Sequence, residues 1–415
     1  MLSHTNPAPV DSASLAPAGL SPVTVNPVIV IPATKPPGLT PSIDLKVLHV
    51  VNGEHFSGAE RVQSHLGRCL PKFGIGAGFA CVKPGKFAAM LKEPGSDWGD
   101  GHDASMTNRF DLRAAARVRE LVIAHGYELL HAHTPRTAMI TSIAARMTGL
   151  PWIYHVHSPA SRDSSNAMAN RVNAWIERQA LRSCSHLITV SESLRMDCIR
   201  KGVAEEKVTV VHNGVPAVRP PRTVFPTVGG RWTIGMIALM RPRKGLEVAI
   251  DALAKLKERG HDVTLRVIGP FETTVYEAGI QSQIDALEIQ DRIERFGFTK
   301  DVPAALAELD AMVLPSLFGE GLPMVVLEAM AAAVPVIATR VEGTPEAVTH
   351  GVEGLLAEPQ DPESLADAIE ELVTGRQDWH RMSESAFQTH AQKFSDLAMA
   401  SGAAEVYRRL LNHIL

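Results

Sequence analysis

The sequence around Glu320, FGEGLPMVVLEAM, combines residues whose types and spacing could bind a phosphorylated ligand. Gly319 and Gly321 lack a Cβ atom, so the backbone amides beside them can approach a ligand closely. Pro323 suits the first turn of a helix, and the free N–H groups of a helix start favour an anionic group such as a diphosphate. Carboxylates such as Glu320 and Glu328 accept hydrogen bonds from hydroxyl groups. The segment therefore indicates a phosphorylated, hydroxyl-rich ligand, although a capped core helix with two solvated glutamates would show the same pattern.

Strands and helices must position this segment, and both halves of the chain alternate between the two. Short apolar runs predict strands over 46–51, 77–82, 129–132, 152–156, 186–190 and 208–211 in the first half. In the second half they predict strands over 232–238, 263–268, 293–296, 311–314 and 336–338. Amphipathic runs predict helices between them, among them 112–125, 167–182 and 324–333, with two more near 378–393 and 396–411. Continuous apolar strands alternating with helices indicate parallel sheets covered on both faces. We therefore predict an α/β protein of two Rossmann-like, doubly wound parallel-sheet domains that face a central cleft.

Charge and proline content divide the 415 residues into five segments. Residues 1–43 are rich in proline and alanine and hold only two charged residues, so we predict a disordered tail. The first Rossmann-like domain, 44–216, carries a net charge of +5. A linker rich in proline and glycine, 217–230, leads to the second domain, 231–395. We expect a final helix, 396–415, to pack back on the first domain.

Composition excludes several classes of protein. The overall net charge of −4 argues against a general nucleic-acid binder, which usually carries a basic excess. The four cysteines are scattered without a Cys-x-x-Cys pair, which indicates free thiols in a reducing compartment. No window reaches about 18 uninterrupted apolar residues, so a membrane-spanning helix is not expected. We therefore expect a cytoplasmic protein.

The motif that contains Glu320 and Glu328 continues as AMAAAVPVIAT (329–339) and EGTPE (342–346), and together these resemble the family 4 glycosyltransferases. Further motifs in matching order are SGAER at 57–61, VSE at 190–192, VHNG at 211–214 and KG at 244–245. The resemblance implies a retaining, nucleotide-sugar-dependent hexosyltransferase of the GT-B fold. In that fold the first domain would bind the acceptor and the second the donor.

The resemblance also implies roles for donor-binding residues. Glu328 would bind the ribose hydroxyls of the nucleotide. Glu320 and the backbone amides of Gly321 and Leu322 would hold the transferred sugar. Lys244 would neutralise the diphosphate, whose negative charge grows as the glycosidic bond breaks.

Further positions match the family along the rest of the chain. His157 falls where the family has a functional histidine at a strand end, near the reacting centre. Gly58 begins the first helix, where the turn would meet donor phosphate or acceptor. The backbone of Gly297 and Phe298 would contact the edge of the base.

The sequence departs from the family at two positions. Most members have an arginine where this chain has Leu239, and either Arg241 or Arg243 could reach the diphosphate instead. We favour Arg241. Ala333 replaces the glycine that usually follows the helix, which we expect to alter packing rather than chemistry.

The resemblance implies a mechanism without a metal ion or other cofactor. It offers no carboxylate beneath the anomeric carbon, unlike many retaining glycoside hydrolases. The family is described as using front-face displacement, in which the donor phosphate accepts the proton of the acceptor. The chain also has no Asp-x-Asp pair, a pattern that would indicate a metal site.

The resemblance indicates the chemical class of the donor and of the acceptor. We expect a UDP- or GDP-sugar as donor and a lipid-linked or polysaccharide acceptor, with no nucleic-acid partner. A nucleotide-sugar epimerase of the same architecture and a non-catalytic nucleotide-sugar-binding protein are the two alternative functions.

Two histidine pairs, His131/His133 and His155/His157, suggest metal ligands. Residues i and i+2 share a strand face, so the geometry allows a cluster of four histidines. Metal sites also need fixed partners for the outer ring nitrogens. We therefore interpret His157 as functional and the other three as hydrogen-bonding at strand ends.

Two other patterns have simple explanations. The segment 74–78, GIGAG, imitates a dinucleotide-binding fingerprint, but it precedes a predicted strand instead of following one. Arg109, Arg113 and Arg117 repeat every four residues, with Arg119 nearby. They form either a solvated helix face or a patch for peripheral contact with anionic membrane.

Overall fold

The computed structural model describes residues 42–56, 58–108, 111–158, 178–179, 181–218 and 225–412. Nearly all of the predicted tail and most of the predicted helix 167–182 lie outside the described residues. Part of the predicted linker, 219–224, lies outside them too. The predicted domain limits stay predictions.

The first half of the chain forms a seven-stranded sheet in which every pair of neighbouring strands is parallel. The spatial order is β3-β2-β1-β4-β5-β6-β7. The strands are β1 Leu45–Val51, β2 Ile75–Cys81, β3 Asp100–Asp103, β4 Leu129–Ala132, β5 Trp152–Val156, β6 His186–Thr189 and β7 Val208–Val210. The described helices of this half are α1 Gly58–Cys69, α2 Lys86–Met90, α3 Arg113–His125, α4 Pro135–Thr148 and α5 Glu192–Arg200.

The second half forms a six-stranded parallel sheet with the order β10-β9-β8-β11-β12-β13. Its strands are β8 Trp232–Ile237, β9 Val263–Ile268, β10 Ile293–Phe296, β11 Ala311–Leu314, β12 Val336–Thr339 and β13 Gly354–Ala357. Its helices are α6 Leu246–Glu258, α7 Thr274–Ala286, α8 Val302–Ala307, α9 Met324–Ala331, α10 Thr344–Ala347, α11 Pro362–Val373 and α12 Trp379–Thr389. The prediction of two doubly wound parallel sheets is confirmed.

The strand order places two crevices. In the first sheet the order reverses between β1 and β4, and in the second it reverses between β8 and β11. Loops that leave such neighbouring strands on opposite sides open a crevice at their carboxyl ends, where ligands of open α/β sheets bind. The loops after β1, β4, β8 and β11 therefore define the region in which a site is expected.

Two edge strands were not predicted. Strand β3 has the sequence DGHD and is only half-buried, so it lacks the apolar run that predicts a strand. Strand β13, GLLA, is buried but only four residues long. Both are held by hydrogen bonds to an inner strand, β2 and β12 respectively, and not by a local pattern.

The last helix, α13 Asp396–Asn412, packs against α1 of the first half. Asp396 accepts a hydrogen bond from Arg68 at 2.8 Å, and Tyr407 is fully buried. A short π-helical turn, His390–Phe394, joins α13 to α12. The C-terminal helix thus contributes side chains to the core of the first sheet.

Several smaller predictions can be compared with the structure. All four cysteines are free thiols, as predicted, and all four are buried. Residues 74–78 lead into strand β2 and do not follow a strand, so they are not a dinucleotide-binding turn, as predicted. No helix within the described ranges is long and apolar enough to cross a membrane.

Candidate functional site

A cleft of about 1130 Å³ lies where the strand ends of the two sheets face each other. The residues that line it include Gly58 after β1, His157 after β5, Lys244 after β8 and Glu320 after β11. Residues predicted from separate motifs are therefore brought to one cavity. Its size suits a ligand larger than a single sugar.

Glu320 lies in the loop between β11 and α9 and is only 5% exposed. Its Oε1 accepts hydrogen bonds from the Lys244 ammonium and from the Ser316 hydroxyl, the latter at 2.7 Å. Burial alone would raise the pKa of Glu320, but Lys244, Ser316 and Arg243 outweigh it and hold this pKa below its ordinary value. The carboxylate is therefore ionised at neutral pH and already paired with a cation.

Lys244 ends a 3₁₀ turn, Pro242–Lys244, that follows β8. The next residue, Gly245, has φ +72°, and a Cβ atom there would lie 2.0 Å from the Pro315 carbonyl oxygen. Only glycine fits both the left-handed backbone and this close approach. The turn therefore brings the loop after β8 against the loop after β11, which sets Lys244 beside Glu320.

Two arginines flank this lysine in the cleft. Arg243 donates to the Gly319 carbonyl oxygen at 3.2 Å and lies 3.7 Å from Glu320. Arg241 lies 3.6 Å from Glu272 instead. Both line the cleft, as does Leu239, which is 38% exposed. The geometry places Arg243 nearer to Glu320 than Arg241, the residue that we favoured from the sequence.

Glu328 projects from α9 and forms an ion pair with Arg61 of α1, which belongs to the opposite wall of the cleft. The glutamate is 9% exposed. Burial raises the pKa of Glu328 above its ordinary value, although Arg61 opposes the rise. This partner of Glu328 could not be predicted from local sequence, because the two residues are 267 positions apart.

Gly321 and Leu322 lie between Glu320 and α9 and line the same cleft. A Cβ atom on Gly321 would lie 2.2 Å from the carbonyl oxygen of His157, so the two walls are in contact here. The carbonyl oxygen of Leu322 accepts a hydrogen bond from the Asn213 side chain at 3.0 Å. These two residues are therefore fixed by the first half of the chain.

The remaining predicted positions differ in how closely they approach the cleft. Gly58 begins α1, and a Cβ atom there would come only within 3.9 Å of Met324. Phe298 lines the cleft, 66% exposed, with the Lys86 ammonium 5.6 Å from its ring centre. Gly297 is not among the lining residues.

Sequence reasoning missed two glutamates of the EGTPE motif. Glu342 accepts hydrogen bonds from the backbone amides of Gly319 and Glu320, at 2.9 and 3.2 Å. Glu346 accepts from the amides of Glu192 and Ser193, at 2.7 and 2.9 Å, and so caps the start of α5 across the cleft. The motifs VSE, VHNG and EGTPE, which are far apart in sequence, meet here.

The histidines form a larger cluster than predicted, because His49 of β1 joins the other four. His133 links His49 and His157, with N···N distances of 3.0 and 3.1 Å. His131 Nδ1 lies 2.7 Å from the Tyr407 hydroxyl. His155 has no hydrogen-bond partner for either ring nitrogen in the described ranges, so the strand-end interpretation is wrong for it.

Burial determines the protonation of this cluster. It lowers the pKa of His49 to about 3 and that of His157 to about 4. It also lowers the pKa of His131, His133 and His155 well below the ordinary value, and neighbouring rings add to the effect. All five imidazoles are therefore neutral at pH 7.

The predicted arginine patch is partly neutralised. Arg113 donates to the Asp111 carboxylate at 2.8 Å, and Arg117 lies 3.7 Å from the same carboxylate. Arg109 lies outside the described residues. The charge that this face could offer to an anionic surface is smaller than the sequence indicated.

Two family models match the chain in succession. Residues 56–219 match glycosyltransferase family 4, and residues 222–389 match glycosyl transferases group 1. Together the two matches cover most of the chain.

Two proteins of similar sequence are glycosyltransferases by name. The UDP-Gal:alpha-D-GlcNAc-diphosphoundecaprenol alpha-1,3-galactosyltransferase of Escherichia coli is 24% identical over 78% of this chain and 87% of its own. The D-inositol 3-phosphate glycosyltransferase of Corynebacterium glutamicum (strain R) is 28% identical over 68% of this chain and 72% of its own.

Solved structures share the fold. Anabaena HepE in complex with UDP superposes with a TM-score of 0.75 at 22% identity, covering 88% of this chain and 100% of that one. Its complex with UDP-glucose gives a TM-score of 0.73 at 23% identity, with the same coverage of both chains. The expected GT-B fold is confirmed, and the chain belongs to the family 4 (group 1) glycosyltransferases, which use nucleotide-sugar donors.

Proposed function

We propose that this enzyme is a retaining glycosyltransferase that moves a hexose from a nucleotide-diphosphate donor to a lipid-linked or polysaccharide acceptor. The observation that carries the proposal is the arrangement of Lys244, Arg243 and Glu320 before the start of α9. Glu328 lies on that helix, four residues after its first residue, Met324. Cations suit a diphosphate, and buried carboxylates suit the hydroxyls on either side of it.

The donor would lie along the wall formed by the second sheet. Glu328 would accept hydrogen bonds from the ribose hydroxyls, and Phe298 lies near enough to the cleft to contact a base. Lys244 and Arg243 or Arg241 would neutralise the diphosphate. Relatives with UDP in their names or structures support a UDP-sugar, and a GDP-sugar is the alternative.

Catalysis would depend on stabilising the leaving diphosphate. As the glycosidic bond breaks, negative charge develops on the phosphate oxygens, and fixed cations in a cleft with restricted water stabilise that charge strongly. We propose front-face displacement, in which a donor phosphate oxygen takes the proton of the acceptor hydroxyl. Glu320 is already engaged by Lys244, which favours a role in holding sugar hydroxyls over a role as nucleophile.

His157 would hold the transferred sugar from the other wall. Its imidazole is neutral, so it can donate or accept a hydrogen bond to a hydroxyl without adding charge near the breaking bond. Its carbonyl oxygen also contacts Gly321, so the two sugar-binding loops keep a fixed spacing.

The acceptor would enter beside the first sheet, whose half of the chain carries the net positive charge. A lipid-diphosphate acceptor matches that charge and the diphosphoundecaprenol in the name of the Escherichia coli relative. We propose a cytoplasmic enzyme with peripheral membrane contact. Sedimentation with anionic liposomes tests that contact, which should weaken as salt is raised.

Turnover tests the main proposal. The enzyme is incubated with UDP- and GDP-sugars and candidate lipid-diphosphate sugars, and release of nucleoside diphosphate is measured. We expect nucleoside diphosphate to be released only when an acceptor is present. We also expect NMR of the product to show that the anomeric configuration of the sugar is retained. Conversion of the donor sugar without an acceptor would instead identify an epimerase, and inversion would contradict the front-face mechanism.

A further inference from the structure

We propose that His49, His131 and His133 form a structural site for one divalent transition-metal ion, such as Zn²⁺, inside the first sheet. We call these three residues the core triad. They are 0, 0 and 3% exposed. The ion would stabilise the first sheet and take no part in the sugar transfer proposed above.

The sheet register brings the core triad together. His49 of β1 pairs directly with His131 of β4, and His133 follows two residues later on the same face. Their ring centres lie 4.9 Å (49–131), 5.3 Å (49–133) and 4.3 Å (131–133) apart. One ligand nitrogen from each lies within 4.8 Å of those of the other two.

These distances are close to those of a metal site. Two nitrogens bound to one tetrahedral zinc ion, each at about 2.0–2.1 Å, lie roughly 3.3 Å apart. His49 Nδ1 and His133 Nε2 are 3.0 Å apart. A shift of a few tenths of an ångström would therefore admit an ion between them.

Two of the three outer ring nitrogens have the partners that metal ligands need, while His49 Nε2 has none among the described residues. His131 Nδ1 lies 2.7 Å from the Tyr407 hydroxyl, and His133 Nδ1 lies 3.1 Å from His157 Nε2. Such partners fix the tautomer and leave the opposite nitrogen for the metal. His131 Nε2 is indeed buried without a hydrogen-bond partner among the described residues. The fold therefore supplies fixed outer partners for His131 and His133, two of the three ligands.

The chemistry of the ligands indicates which ions would bind. The triad offers only neutral imidazoles, which suit zinc, copper or nickel and do not suit magnesium or calcium. The hydrogen bond between His49 Nδ1 and His133 Nε2 places a proton on one of these two nitrogens. Binding would move that proton to the outer nitrogen of the same ring, so each imidazole would stay neutral. His157 lies between the triad and the cleft and marks a path by which an ion could enter.

A second set, His133, His155 and His157, shares one residue with the core triad and is the competing site. It includes a residue of the proposed active site, and His155 has no oriented nitrogen. Because the two sets differ in His49 and His155, matched variants separate them. The substitutions His49→Phe and His155→Phe each remove one imidazole and keep an aromatic ring of similar size.

The experiment measures metal content and not activity. The full chain without a polyhistidine tag is stripped with a chelator, incubated with Zn²⁺ and desalted, and its zinc is counted by mass spectrometry. Co²⁺ in place of Zn²⁺ reports a four-coordinate site, with three imidazoles and one water molecule as ligands, by its visible d–d absorption. We expect one ion per wild-type chain, none in His49→Phe and one in His155→Phe. Tyr407→Phe should weaken the affinity by about 10- to 100-fold.

Other outcomes would overturn the proposal. Wild-type chain that retains no zinc contradicts it, and so does zinc retained by His49→Phe but lost from His155→Phe, which would assign the ion to the set beside the cleft. If His49→Phe does not fold, Tyr407→Phe and the zinc-dependent rise in the wild-type melting temperature decide the question. None of these readouts requires sugar transfer, so failure of the proposed function would be distinguishable.

Discussion

Replacing Glu328 by glutamine tests the proposed nucleotide site directly. The substitution keeps the size of the side chain and removes only its charge. A hydrogen bond to a charged group contributes about 1.5–3 kcal/mol and one to a neutral group about 0.5–1.5 kcal/mol. With one or two ribose hydroxyls involved, glutamine should weaken UDP binding by roughly 1–2 kcal/mol, which is about a 5- to 30-fold increase in Kd.

The stability of the free protein should change much less. Burial raises the pKa of Glu328, so its ionised form opposes folding at neutral pH. A carboxyl with a raised folded-state pKa favours the folded state below its unfolded pKa, and this contribution is lost as the pH rises through the folded pKa. Glutamine removes that unfavourable charge but also the pairing with Arg61, whose side chain is 29% exposed and can turn to water. We expect the free energy of unfolding at pH 7 to change by less than about 1 kcal/mol.

Calorimetric titration with UDP measures the affinity, and urea unfolding measures the stability. Glu308→Gln is the matched control, since Glu308 is exposed, lies outside the cleft and pairs with Arg266 at 3.0 Å. Wild-type affinity in Glu328→Gln, within twofold, would refute the assignment of Glu328 to the nucleotide. An equal loss of UDP affinity in Glu328→Gln and Glu308→Gln would show that the effect does not depend on a position in the cleft, and would also refute the assignment.

Four further outcomes follow from contacts in the cleft. Lys244→Met should lower kcat about 10²- to 10³-fold in a nucleotide-release assay, because it removes a cation from the leaving group; unchanged kcat would contradict its role. Gly321→Ala should lower kcat or stability, since its Cβ would lie 2.2 Å from the His157 carbonyl oxygen, and kinetics with urea unfolding would detect either. Glu346→Gln should destabilise the protein by roughly 1–2 kcal/mol in urea unfolding, since it weakens two charge-assisted bonds to α5. Lys244 and its neighbours lower the pKa of Glu320 in the folded state. The stability that Glu320 contributes is therefore present above its unfolded-state pKa and is lost as the pH falls through its folded-state pKa. On acidification, Glu320→Gln should lose less free energy of unfolding than the wild type.

Much of the fold could be predicted because buried parallel strands are continuous apolar runs. Strand β3 could not, because Asp100–Asp103 contains no large apolar residue and exists only by pairing with β2. Ala333 was expected to affect packing, and the structure shows a backbone effect as well. Its φ of +56° is the left-handed conformation that the usual glycine adopts without strain.

The residues of the candidate site could be named from the sequence, but the side chains that they pair with could not. Glu320, Glu328 and Lys244 are part of continuous motifs, so their types and spacing carry the information. The partner of Glu328 depends on how the two sheets face each other, and no local pattern encodes that. The same holds for His49, which joins the other histidines only through the register of β1 with β4.

Among the described residues, three of the hydrogen-bonded contacts across the cleft differ in what a donor would do to them. Glu346 at the start of α5 and Asn213 at the Leu322 carbonyl oxygen use no residue that is proposed to bind the nucleotide. The Arg61–Glu328 pair uses the proposed ribose ligand itself, and Arg61 engages its Oε1. A nucleotide that binds Glu328 as proposed would share or displace Arg61, while the other two contacts would keep the walls at a constant spacing. Because Arg61 is the partner with access to water, the contact that would rearrange in each proposed catalytic cycle is also the one that can do so with the least disturbance of the fold.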